Sequence, residues 1–213
     1  PVVSNSAGGD SASTSQTQPT WSWSAIDSQS VIADSFRYSF NAAGPWTQTS
    51  NTQFTPTTPL SDGAYTLHVQ QEFTLGGWTN AGTSTLTVDG TPPAAPSIAA
   101  GTTGDGYQSV AEGAAPTIDL TFEPGAELTY SLTGPAAVGP ITVPDAGSNG
   151  AEGIVLPTLT EGTYTFSVTV TDEADNDSPA ATRAFEVDLT PPATIAGITS
   201  ADVRGTSPDE YTI

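Results

Sequence analysis

Residues 60–69 read Leu60-Ser61-Asp62-Gly63-Ala64-Tyr65-Thr66-Leu67-His68-Val69, and residues 159–168 read Leu159-Thr160-Glu161-Gly162-Thr163-Tyr164-Thr165-Phe166-Ser167-Val168. The second stretch lies 99 positions after the first (159 − 60). Val88-Asp89-Gly90-Thr91-Pro92-Pro93 and Val187-Asp188-Leu189-Thr190-Pro191-Pro192 are separated by the same 99 (187 − 88). Two anchors at one offset define a tandem repeat. In each copy the acidic-Gly pair is a turn signal. Tyr65, Leu67 and Val69 alternate, as do Tyr164, Phe166 and Val168, and a period of two means a half-buried strand. A Tyr soon after such a turn is expected to form a tyrosine corner, its hydroxyl bonded back to nearby backbone. Val-Asp-x-Thr-Pro-Pro reads as a strand end and a stiff linker, because Pro fixes φ and biases the preceding residue toward extended forms.

Other short strands are expected around these anchors. In the first repeat they cover residues 20–24, with Trp21 and Trp23 on one face, 35–41, with Phe36, Tyr38 and Phe40 on one face, 52–55 and 83–89. In the second they cover 117–122, 127–132, 153–156, 162–170 and 181–188. Short strands spaced by turns, with no convincing helix, predict an all-β chain of tandem β-sandwich modules. Module one is expected over residues 1–91 and module two over 92–190. Residues 191–213 are expected to be linker and the start of a third module, too short to bury a core alone.

Composition narrows the function. The chain has 213 residues with 21 Gly and 18 Pro, too many for long helices. With no Cys, it has no disulfide, catalytic thiol or zinc-thiolate site. Arg37, Arg183 and Arg204 are its only strong cations. Without Lys there is no Schiff-base chemistry, no P-loop lysine and no lysine–asparagine isopeptide bond. One histidine, His68, cannot build a His-based metal cluster, and its alternation with Leu67 and Val69 points it outward. The formal net charge is −20, which repels nucleic acid and anionic lipid. Such a chain suits a secreted protein working in salt, where repulsion is screened beyond about 8 Å. No apolar run approaches the roughly 18 residues of a membrane span. The absence of Met and of a signal-peptide pattern reads as a segment of something longer.

The densest chemistry is Asp172-Glu173-Ala174-Asp175-Asn176-Asp177, between the last two strands of module two. Bare carboxylates at this spacing repel one another. Hard oxygen ligands at this density suit Ca²⁺, which takes 6–8 oxygens. Asp188 ends the following strand beside the linker, and Asp202 lies beyond it. The expected site gathers Asp172, Asp175, Asn176, Asp177, Asp188 and Asp202 at one pole, bridging two modules. The competing reading is a solvated acidic turn; the linker Asp and the scarcity of cations favour calcium. In module one the 99-residue shift puts Phe73, Gly76, Gly77 and Trp78 where module two has Asp172, Asp175, Asn176 and Asp177. A metal site after module one is therefore expected to be absent or weak, supplied at most by Asp89 and Asp105. Phe73 and Trp78 are expected to pack against the linker instead.

The segments "EGTYTFSVTVTDEADN" (161–176) and "FEVDLTPP" (185–192) resemble the bacterial Ig-like repeats of giant adhesins secreted by type I systems. Module one, with "PTWSWS" (19–24), "FRYSF" (36–40), "LSDGAYTLHVQ" (60–70) and "VDGTPP" (88–93), resembles a related Ig-like repeat of bacterial surface proteins. The resemblance covers nearly the whole chain, most securely residues 60–93 and 159–192. It implies Ig-like sandwiches, a tandem extracellular array on a bacterial surface and, in the calcium-binding members, Ca²⁺ held at positions matching Asp172, Asp175, Asn176 and Asp188.

The expected function is a non-catalytic spacer of a surface adhesin, each module adding roughly 40 Å, with neighbouring modules of the same chain as partners and Ca²⁺ stiffening the joint. One alternative is a glycan- or peptide-binding module using Trp46, Trp78 and Tyr38, with a glycan or cell-surface ligand as partner; the paired Trp21 and Trp23 more simply fill a core. Another is a self-assembling surface filament in which residues 193–213 donate a strand. Glu123 and Glu127 could be nominated as a glycosidase pair. They flank Pro124-Gly125, a turn whose exposure leaves ordinary acidity, so no enzyme activity is expected. Asn176-Asp177-Ser178 fits a glycosylation sequon, discounted for a bacterial chain.

Overall fold

The computed structural model describes residues 1–99, 107–109, 115–144 and 149–191. Among these, every regular element is a β-strand. Module one pairs β1 (Val2–Asn5), β3 (Trp21–Ser24) and β6 (Gln53–Phe54) in a three-stranded sheet ordered β1-β3-β6. Its second sheet uses β2 (Ala12–Thr14), β4 (Val31–Ser39), β5 (Thr47–Thr49), β7 (Gly63–Phe73) and β8 (Gly82–Val88), ordered β2-β8-β7-β4-β5. Alternation decides which side chains face inward: β3 buries Trp21 and Trp23, and β7 buries Leu67 and Val69. These meet Phe36, Leu86 and Val88 in one core between the sheets.

Module two repeats this wiring. Its three-stranded sheet contains β9 (Ser97–Ala99), β11 (Thr117–Thr121) and β14 (Ala151–Val155), ordered β14-β11-β9. Its five-stranded sheet contains β10 (Tyr107–Ser109), β12 (Glu127–Thr133), β13 (Val138–Val143), β15 (Gly162–Thr171) and β16 (Ala181–Asp188), ordered β10-β16-β15-β12-β13. In both modules a short strand pairs in parallel with the last strand: β2 with β8 and β10 with β16. The remaining pairs are antiparallel. The result is a pair of Ig-like β-sandwiches. Their cores differ in material: module one is aromatic, and module two is aliphatic around Tyr164 and Phe166.

The repeated sequence anchors bond to one another. Tyr65 and Tyr164 donate their hydroxyls to the carbonyls of Ser61 (2.9 Å) and Thr160 (3.0 Å), the tyrosine corner expected from the sequence. Asp62, in the turn before β7, accepts the Thr91 hydroxyl at 2.6 Å and the Gly90 amide at 2.8 Å. Glu161 accepts the Thr190 hydroxyl at 2.6 Å. Asp89 and Asp188 each accept the amide two residues on, from Thr91 (3.1 Å) and Thr190 (3.0 Å). Each linker therefore leaves its sandwich tied to the turn beside it.

Strands that the residue pattern did not reveal are edges. β13 and β5 expose most of their side chains, so no apolar alternation marks them. β4 begins at Val31, ahead of the expected residue 35, and its register shifts between Val31 and Phe36. The fully buried Gln71 fills that irregularity, donating to the Ile32 carbonyl (2.8 Å) and accepting the Ile26 amide (2.8 Å). Residues 193–213, with Asp202, and also Asp105, lie outside the described residues.

Candidate functional site

The acidic loop that joins β15 to β16 is built by its own first residue. Asp172 Oδ1 accepts the amides of Ala174 (2.8 Å) and Asn176 (2.9 Å), and Oδ2 accepts Asn176 Nδ2 (3.0 Å). Asp172 N donates to the Asn176 carbonyl at 3.1 Å. Asp175 sits at φ 64°, a left-handed conformation that Asp tolerates through its short polar side chain. Thr171 Oγ1 donates to Asp177 Oδ1 at 2.7 Å. Hydrogen bonds thus occupy the carboxylates of Asp172 and Asp177.

This loop is the contact with module one. Asn176 Nδ2 donates to the Asp89 carbonyl at 2.8 Å, and the Ser15 amide donates to the Ala174 carbonyl at 3.0 Å. Ala174 is only 2% exposed. A cleft beside these bonds is lined by Ser13 and Asp89 of module one and by Glu123–Ala126 and Asp172–Ala174 of module two. Four carboxylates border it: Asp89, Glu123, Asp172 and Glu173.

The expected ligand set is therefore divided. Asp172 and Asn176 lie at the joint, together with Asp89. Asp175 and Asp177 belong to the same loop, but both are exposed and neither lines the cleft. Asp188 does not meet the loop, because β15 and β16 are antiparallel. Gly162 pairs with Val187, so Asp188 lies at the far end of the strand, roughly 23 Å along from the loop side at 3.3 Å per residue. The loop of module two faces back onto the linker of module one, not forward onto its own. Asp89, expected at most in a weak metal site after module one, lies at this joint; what the sequence does not report is its partner there, Asn176. Its contact with Asn176 spans 87 positions, and no local pattern reports it. Among the described residues, no group of three or more His, Cys, Asp or Glu side chains converges as a ready metal cage.

The aromatic candidates in module one are separated too. The Arg37 guanidinium lies between the rings of Trp46 (4.6 Å) and Trp78 (4.4 Å), and its Nε donates to Gln70 Oε1 at 2.7 Å. Cation–π attraction accounts for this clasp. Alternation along β4 turns Arg37 outward and Tyr38 inward, where Tyr38 packs on Phe54 with centroids 4.5 Å apart. The three aromatics do not form one platform. Trp78 does not reach the linker either. It bridges to Glu72 at the opposite pole from Asp89, and Phe73 is at that same pole.

No family model matches the sequence, and no curated protein matches it. Solved structures similar to the chain include tandem repeats of large adhesion proteins and fibronectin(III)-like modules. The fibronectin(III)-like modules of CbhA from Clostridium thermocellum share 13% identity at a TM-score of 0.48, covering 88% of this chain and 95% of that one. A tetra-tandem repeat from the extending region of a large adhesion protein shares 17% identity at a TM-score of 0.38, covering 88% of this chain; the chain spans 48% of that structure. The BSP domain of a biofilm-associated protein shares 18% identity at a TM-score of 0.30, covering 88% of this chain and 30% of its own. Likenesses this distant carry no functional argument, and the fold rests on the strand pairing itself. Among the described residues no helix is long and apolar enough to cross a membrane.

Proposed function

We propose that the chain is a non-catalytic extender segment of a bacterial surface adhesin, positioned outside the cell, whose role is reach. The observation that supports this most directly is the joint. Module two bonds through Asn176 and Ala174 to the linker and strand end of module one, and Asp62 ties down that linker's Thr91. A joint held at several points limits swing, which is the property a spacer requires. Small-angle scattering tests it: a stiff two-module rod is expected, and a profile requiring freely swinging modules defeats the reading.

Calcium is the second part of the proposal. Asp89, Glu123, Asp172 and Glu173 are hard oxygen donors around one cleft, the chemistry that suits Ca²⁺. Both Asp172 oxygens already accept hydrogen bonds, so an ion would need carbonyl and water oxygens alongside them. Calcium bound there would offset the repulsion between carboxylates of two modules. Calorimetry with calcium and with chelator separates the parts. A higher melting temperature in calcium is expected; an unchanged one removes the metal and leaves the extender.

A further inference from the structure

The clasp around Arg37 belongs to module one alone. Arg37 on β4 pairs with Gln48 on β5 and with Gln70 on β7. Thr129 holds the same place in module two, paired with Thr142 and Thr169, and its hydroxyl bonds that of Thr142 at 3.1 Å. Trp78, bridged to Glu72, is matched by Asp177, bridged to Thr171. The second sandwich thus forms with threonines and a carboxylate at these places. The fold does not require two indoles and a guanidinium there.

Arg37 is also a cation left without an anion. Among the described residues no carboxylate pairs with it, although the chain has 23 acidic residues. Glu72, diagonal to it on β7, instead accepts the Ser35 hydroxyl at 2.6 Å. The two indoles cover the faces of the guanidinium and Gln70 holds its Nε, which leaves the edge formed by the two terminal nitrogens. A guanidinium edge fixed in this way is the complement of a carboxylate, which it binds through two parallel hydrogen bonds. Trp46 and Trp78 are only half-buried and keep apolar area open beside it. Gln48, Gln70 and His68, the last diagonal to Arg37 on its other side, add hydrogen-bonding groups to the same sheet face.

We propose that this face binds a carboxylate-bearing sugar, a uronic-acid unit of an acidic polysaccharide, with the carboxylate on Arg37 and the sugar ring against Trp46 and Trp78. A peptide strand has no such footing. β4 lies between β7 and β5, and β7 between β4 and β8, so their backbone groups are spent in the ladder and cannot receive an added strand. Side-chain amides and indole faces suit the hydroxyls and C–H faces of a sugar ring. The net charge of −20 opposes a polyanion at long range, and salt screens that repulsion beyond about 8 Å. Tyr38 packs on Phe54 at the core side of the sheet and takes no part. This site adds capture to reach and is independent of the joint between modules.

The test follows the indole N–H resonances of Trp46 and Trp78 in the full chain, at physiological salt, as tri-galacturonate is added, with its methyl ester as the uncharged control. Tri-galacturonate is expected to move both resonances saturably. The methyl ester is expected to bind more weakly by roughly tenfold or more, the loss of one charge-assisted contact. R37Q is expected to lose the response while the resonance of the buried Trp21 stays in place. T129A, at the matching position of module two, is expected to respond like the unmodified chain. Equal binding of acid and ester, no movement of Trp46 and Trp78, or an R37Q response equal to that of the unmodified chain overturns the proposal. An Asp-rich hexapeptide bound more tightly than tri-galacturonate overturns the assignment to sugar. Should R37Q unfold, the comparison of acid with ester on the unmodified chain decides alone. None of these outcomes alters the scattering profile of a two-module rod, so the extender reading stands or falls separately.

Discussion

The carboxylate of Asp62 holds the hydroxyl of Thr91 at 2.6 Å across 29 residues, and Glu161 holds Thr190 at the same distance and the same separation. Each linker is thus bonded to the turn that starts the strand alongside it. The Asp62 bonds, first to Thr91 and then to the Gly90 amide, keep its carboxyl below the ordinary value of 3.8. A depressed folded pKa contributes stability that is fully present above the ordinary value and is lost as pH falls through the lower folded one. The Thr91 clip is therefore expected to persist at neutral and mildly acidic pH and to open only below the usual carboxylate range. Amide-resonance titration of Gly90 and Thr91 checks this, and a midpoint above 3.8 contradicts it.

Asn176→Ala removes the bonds to the Asp89 carbonyl and to Asp172 together. It is expected to loosen the joint while both sandwiches stay folded. Scattering should report a shorter, more variable end-to-end distance, with unfolding of module one unaffected.

Tyr164→Phe deletes a hydroxyl bonded to the Thr160 carbonyl at 3.0 Å from a fully buried ring. The expected cost is about 1 kcal/mol, the net worth of one such bond. Urea denaturation of the variant measures it, and no change in midpoint counts against the corner as a stabilising contact.

Gly134→Ala is expected to cost more, on the order of 2–3 kcal/mol. Gly134 has φ 148°, and an added Cβ would run into the Tyr164 ring and approach the Thr163 carbonyl at 2.9 Å. The neighbouring corner should be disturbed as well, which thermal unfolding would show as a lower midpoint for module two.

Arg37→Lys is expected to destabilise module one by roughly 1 kcal/mol although charge is kept, because an ammonium cannot stack flat between two indoles. Tryptophan emission should shift to the red as Trp46 and Trp78 lose their shared partner. Emission identical to the unmodified protein would show that the clasp does not hold the rings.

Much of the sandwich could be read from residues because its anchors are themselves structural partners. The Asp62–Gly63 turn and Thr91 recur at one spacing because they bond, and Tyr65 and Tyr164 recur because each closes a corner. Trp21 and Trp23 could be placed in the core by alternation alone. The site was less readable. Asp188 looked close to residues 172–177 because it is close in sequence, yet an antiparallel return carries it a whole strand length away. Asp89 and Asn176 meet only because one module docks on the next. Trp46 and Trp78 read as free aromatics because the cation between them, Arg37, comes from a different strand. β13 carried no alternating signal, since an edge strand with solvent on most positions needs none.

Pro1 sits against Gly82 at the start of β8, and the linker departs beyond Val88 at the other end of that strand. A pull between these points runs lengthwise along β8 and its neighbours. The ladder bonds then bear tension in shear, many at once, instead of peeling open singly. The Thr91 and Thr190 clips lie outside those ladders, so under load they yield first and lengthen the tether by a few residues before either sandwich gives way.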